Sequence, residues 1–362
     1  MNLPASISRP IRRAAVGVGV SLIVAACASP TFGAEERAVR LLTHDSFLLP
    51  EAVVEAFEAE HGARLEVIQG GDAGATVNQA ILTRMAGDEP IADVLYGVDN
   101  TFLSRAIEAG IFTPYRSSEV DALPADLLVA DDVATPIDVG DVCLNIDVAA
   151  FEERGLPVPA SLEDLLDPAL RDTLVVEDPS LSSPGLAFLL ATVATFGDDP
   201  HVGWQGYWRA LRENGVEVAS GWEEAYYGRF SGGSGEGDRP MVVSYATSPV
   251  AEVLFGEDPE ADVAPTRALE AGCFRQVEYA GVLAGAREPE LAAAFIDHLL
   301  AAETQAELPM AMYVLPVRED VALPEAFERH ALRPTAPITM DPADIDAGRE
   351  RWIAEWTDIV LR

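Results

Sequence analysis

Lysine is absent from the 362-residue sequence, so all 24 basic residues are arginine. This absence excludes a Schiff base, a phosphate-loop lysine and a lysine general base. Acidic residues number 60, which gives a formal net charge of −36. A nucleic-acid partner is therefore not expected, because phosphate neutralisation needs a basic face. The hydrophobic fraction of 49% is ordinary for a folded protein and does not indicate disorder.

Long apolar runs are also absent beyond the N-terminus. Three arginines within residues 9–13 precede an uncharged apolar run over 14–26, a pattern that predicts a secretory signal too short to span a bilayer permanently. The run ends in VAAC, which resembles a lipoprotein cleavage box and predicts lipidation of Cys27. Ordinary cleavage, for instance after Ala34, is the alternative. Residues 1–36 are thus predicted to be signal peptide and tether, and the protein is predicted to be exported.

Cysteine is scarce, with three residues in total. Once Cys27 is set aside, Cys143 and Cys273 remain, and both lie in strand-like runs. In an oxidising compartment they can form a disulfide or stay as two buried thiols, and spacing alone leaves both possibilities open.

Strands and helices alternate through the first hundred residues of the predicted mature chain. Strand patterns over 39–46, 64–68 and 92–97 are each followed by a helical pattern, which indicates an α/β domain with a mainly parallel sheet. Ligands bind beyond the carboxyl ends of such strands. The polar turns at those ends are therefore predicted to converge; they are His44-Asp45-Ser46, Asp72 and Asp99-Asn100.

A second polar turn, DPSLSSPG at 178–185, leads into an apolar helix. Ser182 and Ser183 are candidates for the helix cap, and the exposed N–H groups there favour an anion. A plain cap and a ligand site are equally compatible with this pattern.

Histidines are few, and none of the five is spaced from another as in a metal site. The aromatic residues are more informative. Trp222, Tyr226, Tyr245 and Tyr313 lie near turns or strand ends, and together with the carboxylates above they predict a pocket for a flat organic cation. For each aromatic residue taken alone, a place in the core is the more common outcome.

From these features the sequence resembles the periplasmic thiamine-binding protein family of ABC importers. The similarity extends from Val39 to Arg362 and rests on the order and spacing of short segments rather than on any one of them. They are THDSF at 43–47, residues 72–78, YGVDN at 96–100, DPSLSSPGL at 178–186, SGWEEAY at 220–226, VVSYATSP at 242–249 and RERWIAEW at 349–356.

The resemblance implies a type II periplasmic binding fold, in which two α/β domains joined by crossover strands close on a ligand. Domain 1 is then expected to comprise residues 37–139 with 277–362, and domain 2 residues 140–276. The runs VCLNID and FRQVEYAGV become the crossover strands, which favours the Cys143–Cys273 disulfide. The implied partners are thiamine, or its phosphates, and a membrane permease. No cofactor, no enzymatic activity and a monomer are expected.

The resemblance also suggests roles for individual positions. Asp45 and Ser46 fall in the loop at the cleft, and Asp72 matches an acidic cleft position. His44 and Asp99 are expected ligand contacts because of the converging strand ends described above, not because of the resemblance. Trp222 and Tyr245 match aromatic residues expected to flank the thiamine rings, and Ser182 and Ser183 match the region expected to receive phosphate. Tyr226 and Tyr313 are further expected contacts from the aromatic pattern described above.

Some positions depart from the family pattern. His44 replaces a tyrosine, Ser180 replaces an arginine beside the phosphate region, and two expected tryptophans are missing. These differences weaken the expectation of phosphate binding and leave free thiamine or a related pyrimidine or thiazole as ligand.

Two alternatives remain. Adjacent Tyr226 and Tyr227 resemble the paired tyrosine ligands of ferric-iron-binding proteins of the same fold. A secreted hydrolase would rest only on scattered serines, histidines and aspartates, and the Gly-rich segment 231–240 lacks a G-x-S-x-G motif, since position 236 is Glu.

Overall fold

The computed structural model describes residues 37–199 and 203–362. The predicted signal peptide and Cys27 lie outside these residues. Residues 37–362 form one compact unit. Within the described ranges, no helix combines the length and the apolar character needed to cross a bilayer.

The described strands join one mixed sheet, whose main path has the order β2-β1-β3-β9-β5-β8-β6-β7. The short strand β10 pairs with β5, and β4 pairs with β9. The strands are β1 (Ala38–Thr43), β2 (Arg64–Gln69), β3 (Val94–Asp99), β4 (Phe112–Thr113), β5 (Thr135–Asp147), β6 (Leu174–Glu177), β7 (Glu217–Ala219), β8 (Met241–Tyr245), β9 (Thr266–Leu283) and β10 (Leu315–Pro316).

Two long antiparallel strands, β5 and β9, occupy the centre of the sheet and run beside each other from Thr135 opposite Ala280 to Asp147 opposite Thr266. On one side, β9 pairs with β3, and β3, β1 and β2 are mutually parallel. On the other side, β5 pairs with β8, and β8, β6 and β7 are mutually parallel. Two parallel groups are thus joined through the segments that the sequence predicts as crossover strands.

Helices cover both faces of the sheet because strand residues alternate between its two sides. In β1, Leu41 packs with α1 and α8, whereas Leu42 packs with α2 and α3 on the opposite face. The helices are α1 (Glu51–His61), α2 (Ala73–Ala86), α3 (Leu103–Glu108), α4 (Val148–Arg154), α5 (Ser183–Phe196), α6 (Trp204–Glu213), α7 (Ser248–Leu254), α8 (Pro289–Leu300), α9 (Ala302–Met312), α10 (Glu325–His330) and α11 (Pro342–Val360).

Cys143 in β5 and Cys273 in β9 are bonded to each other. The pairing register of these two strands shifts between Val142 and Leu144, so the cysteines face each other at an irregularity of the ladder. Both sulfurs are buried against Ala246. The bond therefore joins the two crossover strands.

The C-terminal segment touches elements on both sides of the sheet. Helix α8 packs on β1 and β9, as expected of a chain that returns to domain 1. Further on, α10 contacts α7, and α11 contacts both α3 and α6. The residues after β10 thus also contact the predicted domain 2, and the domain boundaries remain a prediction.

Candidate functional site

A cavity of about 290 Å³ opens where the carboxyl ends of the parallel strands meet the centre of the sheet. Its volume suits a small organic molecule. Strand ends, helix starts and the two crossover strands all contribute to its wall. The lining residues used below are His44, Ser46, Asp72, Asp138, Ser183, Trp222, Tyr226, Tyr227, Ser234, Tyr245, Glu252, Phe255, Gln276, Glu278 and Tyr313.

His44 follows β1, and its ring lies against Gly97 of β3. A side chain on Gly97 would place its Cβ 2.3 Å from Cδ2 of His44. Gly97 also has a φ of +89° at a register shift of β3, a conformation that favours glycine. The glycine bulge therefore makes room for the imidazole ring at the edge of the cavity.

The aromatic side of the cavity is built around Trp222. Its ring stacks on Tyr226, with centroids 5.1 Å apart and planes 21° apart. Tyr245 lies 6.2 Å away on a tilted plane, and the indole Nε1 donates to Ser244 Oγ at 2.9 Å. These contacts hold the indole in one orientation while it remains partly exposed to the cavity. Such a fixed indole is the preferred aromatic partner of a cation.

The polar floor comes from the crossover strands. Asp138 of β5 lies opposite Glu278 of β9 in the antiparallel ladder, so two acidic side chains are cross-strand neighbours. The hydroxyl of Tyr96 donates to Asp138 Oδ2. Nε2 of Gln276 donates to Glu278 Oε1 at 3.3 Å and to the Tyr245 hydroxyl at 3.4 Å. The floor is thus a connected polar network beneath the rings.

The imidazole of His44 faces the acidic side chains of this network. His44 Nε2 lies 3.5 Å from Glu278 Oε2. Burial lowers the pKa of His44, but the carboxylates of Glu278, Asp72 and Asp45 outweigh burial and leave it raised. Burial raises the pKa of Glu278, but His44 and hydrogen-bond donors outweigh burial and leave it lowered. Burial and the charge of Glu278 hold the pKa of Asp138 well above its usual value. The two shifts run in opposite directions, so a negative charge on the floor is favoured on Glu278 over Asp138.

Asp72 makes two separate contacts at the cavity wall. Its Oδ1 accepts a hydrogen bond from Ala73 N at 2.7 Å at the start of α2, and its Oδ2 accepts one from Trp222 N at 3.0 Å. The second contact joins residues from the two predicted domains. One carboxylate thus anchors both a helix start and the segment that carries the indole.

The rim opposite Trp222 is formed by Tyr313, which caps the C-terminus of α9 with a φ of +57°. Its ring lies parallel to Phe327 and meets the exposed Phe255 edge-on at 5.9 Å. The hydroxyl of Thr247 donates to the carbonyl of Tyr313. A left-handed backbone is unusual for tyrosine and here turns the ring toward the cavity.

Most of the predicted site residues come together in the structure. Eight line the cavity, and Asp45 lines an adjoining depression that shares His44, Ser46, Asp72 and Trp222 with it. The eight are His44, Ser46, Asp72, Ser183, Trp222, Tyr226, Tyr245 and Tyr313.

Asp99 and Ser182 do not line the cavity, and both side chains are fully buried. The carboxylate of Asp99 accepts hydrogen bonds from Thr101 N and from the hydroxyl of Ser183. Burial raises the pKa of Asp99 to about 6. Ser182 begins α5 without a side-chain capping bond. Asp99 is therefore engaged within the protein, whereas the buried hydroxyl of Ser182 has no hydrogen-bond partner, and a ligand contact from either residue stays a prediction.

Sequence reasoning missed the acidic floor residues Asp138 and Glu278, and also Glu252 of α7 at the cavity wall. The available signal was an acidic residue inside an otherwise apolar strand pattern, as in TPIDVG and QVEYAG. Ser234 was missed as well, because the Gly-rich segment read as a surface loop. In the structure its hydroxyl donates to Glu252 at 2.8 Å at the cavity wall.

The structure gives little support to iron binding at Tyr226 and Tyr227. Burial and the nearby Glu252 raise the pKa of both hydroxyls, which disfavours the phenolate form that iron ligation requires. Among the described residues, no cluster of three or more His, Cys, Asp or Glu side chains could hold a metal ion.

Comparison with known proteins places the site in a family context. The sequence pattern of the family described as "Bacterial extracellular solute-binding protein" matches residues 89–338. The thiamine-binding periplasmic protein of Escherichia coli K12 is 31% identical over 93% of this chain and 97% of its own length. The protein of that name from Brucella suis biovar 1 is 27% identical over 87% and 90%.

Solved structures are similar to this one over most of its length. One described as a periplasmic thiamin binding protein superposes with a TM-score of 0.77 at 29% identity, covering 90% of this chain and 97% of its own. Iron-bound HitA from Pseudomonas aeruginosa superposes with a TM-score of 0.69 at 19% identity over 89% and 99%. At that lower identity the likeness concerns the fold alone.

Proposed function

This chain belongs to the bacterial extracellular solute-binding proteins, and from that premise we propose that its cavity binds thiamine. Its fold is the type II periplasmic binding fold. Thiamine is a flat organic cation, and the observation that carries the proposal is the pairing of the Trp222 wall with the acidic floor below it. An aromatic face and carboxylates together favour a desolvated cation over a neutral solute.

The proposed role is binding and delivery without catalysis. The protein would capture thiamine outside the cytoplasmic membrane as a monomer and present it to an ABC permease. Relatives named as periplasmic thiamine-binding proteins support this role, as does the apolar and aromatic character of much of the cavity wall.

We further propose that the ligand is enclosed by two domains that close about the crossover strands. Hydrogen bonds at the cavity edge support this, because they join residues that the sequence assigns to different domains. Gly74 N donates to Leu181 O at 3.0 Å, in addition to the contacts from Asp72 to Trp222 and from Thr247 to Tyr313. Closure of this kind excludes water from the ligand.

The test is a titration of tryptophan fluorescence with thiamine. Of the five tryptophans, Trp222 lines the cavity, whereas Trp204, Trp208, Trp352 and Trp356 are buried in the main core. Thiamine is expected to quench the emission of Trp222, so Trp222→Phe should lose the quench. Calorimetry of Trp222→Ala should show binding weakened by about 1–2 kcal/mol through the lost cation–π contact.

Trp356→Phe is the matched control, since its indole packs on Trp208 away from the cavity. It should keep both the quench and the affinity. If micromolar thiamine produced neither a quench nor heat with the wild-type protein, the proposed ligand would be wrong. An unchanged affinity in Trp222→Ala would instead remove Trp222 from the ligand contacts.

A further inference from the structure

The charges facing the cavity are strongly one-sided. Four carboxyl groups line it, and the adjoining depression adds those of Asp45, Glu223 and Glu224. No arginine lines either space among the described residues, so His44 is the one lining group that can carry positive charge. The four carboxyl groups of the cavity are those of Asp72, Asp138, Glu252 and Glu278.

At the start of α5, which could receive an anion, the hydroxyls of Ser180 and Ser183 already bond to carboxylates of the protein, whereas the buried Ser182 hydroxyl has no hydrogen-bond partner. The hydroxyl of Ser183 donates to the carboxylate of Asp99, and Leu181 O accepts Gly74 N from the start of α2. The hydroxyl of Ser180 donates to Asp178 Oδ1 at 2.6 Å. The hydroxyls of Ser180 and Ser183 therefore bond to carboxylates within the protein. A phosphate would have to break these hydrogen bonds before it could accept from either hydroxyl.

A third acidic group lies behind this helix start. Glu177 ends β6 with its side chain buried, and neither carboxyl oxygen has a hydrogen-bond partner. Gly185 of α5 packs directly on it, since a Cβ at Gly185 would lie 3.0 Å from the Cβ of Glu177. An anion placed at the start of α5 would meet the carboxylate of Asp72, which lines the same cavity as Ser183, and no arginine among the described lining residues would offset that charge. Burial raises the pKa of Asp99 and of Glu177, so these two groups favour their neutral forms and offer no positive charge either.

From this arrangement we infer that the cavity selects the unphosphorylated organic cation and rejects its phosphate esters. The inference rests on the proposed function and narrows it to one ligand class. The cation is attracted by Glu278 at the floor, whereas a phosphate would bring two negative charges into a space walled by carboxylates. Selectivity of this kind arises from repulsion of the wrong ligand as well as attraction of the right one.

The first experiment compares thiamine with thiamine monophosphate by calorimetry on the ligand-free exported protein. Thiamine monophosphate should bind at least about 100-fold more weakly than thiamine, because like charges a few ångströms apart in a partly buried site repel strongly. The difference should shrink at high salt, where charges at the cavity mouth are screened.

The second experiment uses Glu278→Gln, which removes one floor charge and retains the shape of the side chain. Thiamine binding should weaken about tenfold, and binding of the monophosphate should stay the same or improve, so the selectivity ratio narrows. Glu270→Gln is the matched control. It makes the same substitution on the same strand, but Glu270 is exposed and bonded to Thr335, so the ratio should not change.

Each outcome has a distinct meaning. Equal or tighter binding of the monophosphate by the wild-type protein would overturn the selectivity and leave the proposed function intact. If neither compound binds, both fail. An unchanged ratio in Glu278→Gln would contradict the role of the floor charge. Should that variant not fold, as judged by circular dichroism, the wild-type comparison still decides the inference.

Discussion

His44 shows how one residue can connect the charge of the site to pH. Its pKa is raised from the usual 6.5, so the folded state binds its proton more tightly than the unfolded state does. The stabilisation it provides is therefore fully present below about pH 6.5 and is lost as the pH rises through the raised pKa. Glu278, whose pKa is lowered from 4.5, stabilises the fold above about pH 4.5 and loses this effect as the pH falls through its lowered value.

A pH series of urea unfolding tests this. The difference in unfolding free energy between the wild type and His44→Gln is expected to be largest at about pH 5–6.5 and to shrink above it, since the protonated imidazole is what Glu278 stabilises. His330→Gln is a suitable control, because His330 is not among the residues that line the cavity. If the difference in unfolding free energy grew with rising pH, the raised pKa of His44 would be contradicted.

At the scale of one element, the bulge in β3 positions the ring of His44, because Gly97 has no side chain to fill that space. Replacing Gly97 by alanine should lower the free energy of unfolding by about 1–2 kcal/mol, because its positive φ disfavours a Cβ. The same Cβ would displace the His44 ring, so thiamine affinity should fall as well. Calorimetry and urea unfolding measure the two effects separately.

The control variant Gly62→Ala separates the effect of backbone strain from the effect of displacing His44. Gly62 ends α1 with a φ of +57°, and a Cβ there would meet nothing within 4 Å. The variant should therefore lose stability to a similar extent but bind thiamine normally. If both glycine variants lost affinity equally, general destabilisation would explain the result and His44 would not.

Helices and strands with a clear hydrophobic period were predictable from the sequence, whereas contacts between strands distant in sequence were not. The helical pattern after Pro50 ends at Gly62, as the structure has it, because proline and glycine mark helix ends locally. Asp138 and Glu278 are 140 positions apart, and only the register of β5 with β9 brings them together. The burial of Asp99 could not be predicted for the same reason, since its carboxylate bonds to Ser183 from another part of the chain.

At the scale of the whole molecule, the Cys143–Cys273 bond encloses nearly all of the predicted second domain. Its two ends are 130 positions apart, so the bond removes much of the freedom of the unfolded chain. The double variant Cys143→Ala with Cys273→Ala is expected to lose about 2–5 kcal/mol of stability in urea unfolding.

Ligand binding should not change in the same variant, because neither cysteine lines the cavity. Calorimetry with thiamine under native conditions checks this. Unfolding midpoints that agree for the wild-type and variant proteins would show that the bond adds nothing to stability. Loss of thiamine binding in a folded variant would instead show that the crossover strands transmit changes to the site.

The two contacts of Asp72 limit what can replace it. Asparagine or serine could still cap α2, as short polar side chains do, but neither would keep the negative charge that faces the cavity. Glutamate would keep the charge but with a longer reach that no longer suits the helix start. Because the helix start, the Trp222 segment and the charge of the cavity each set their own requirement, Asp72 is expected to tolerate almost no substitution in a saturation-mutagenesis screen for growth on limiting thiamine.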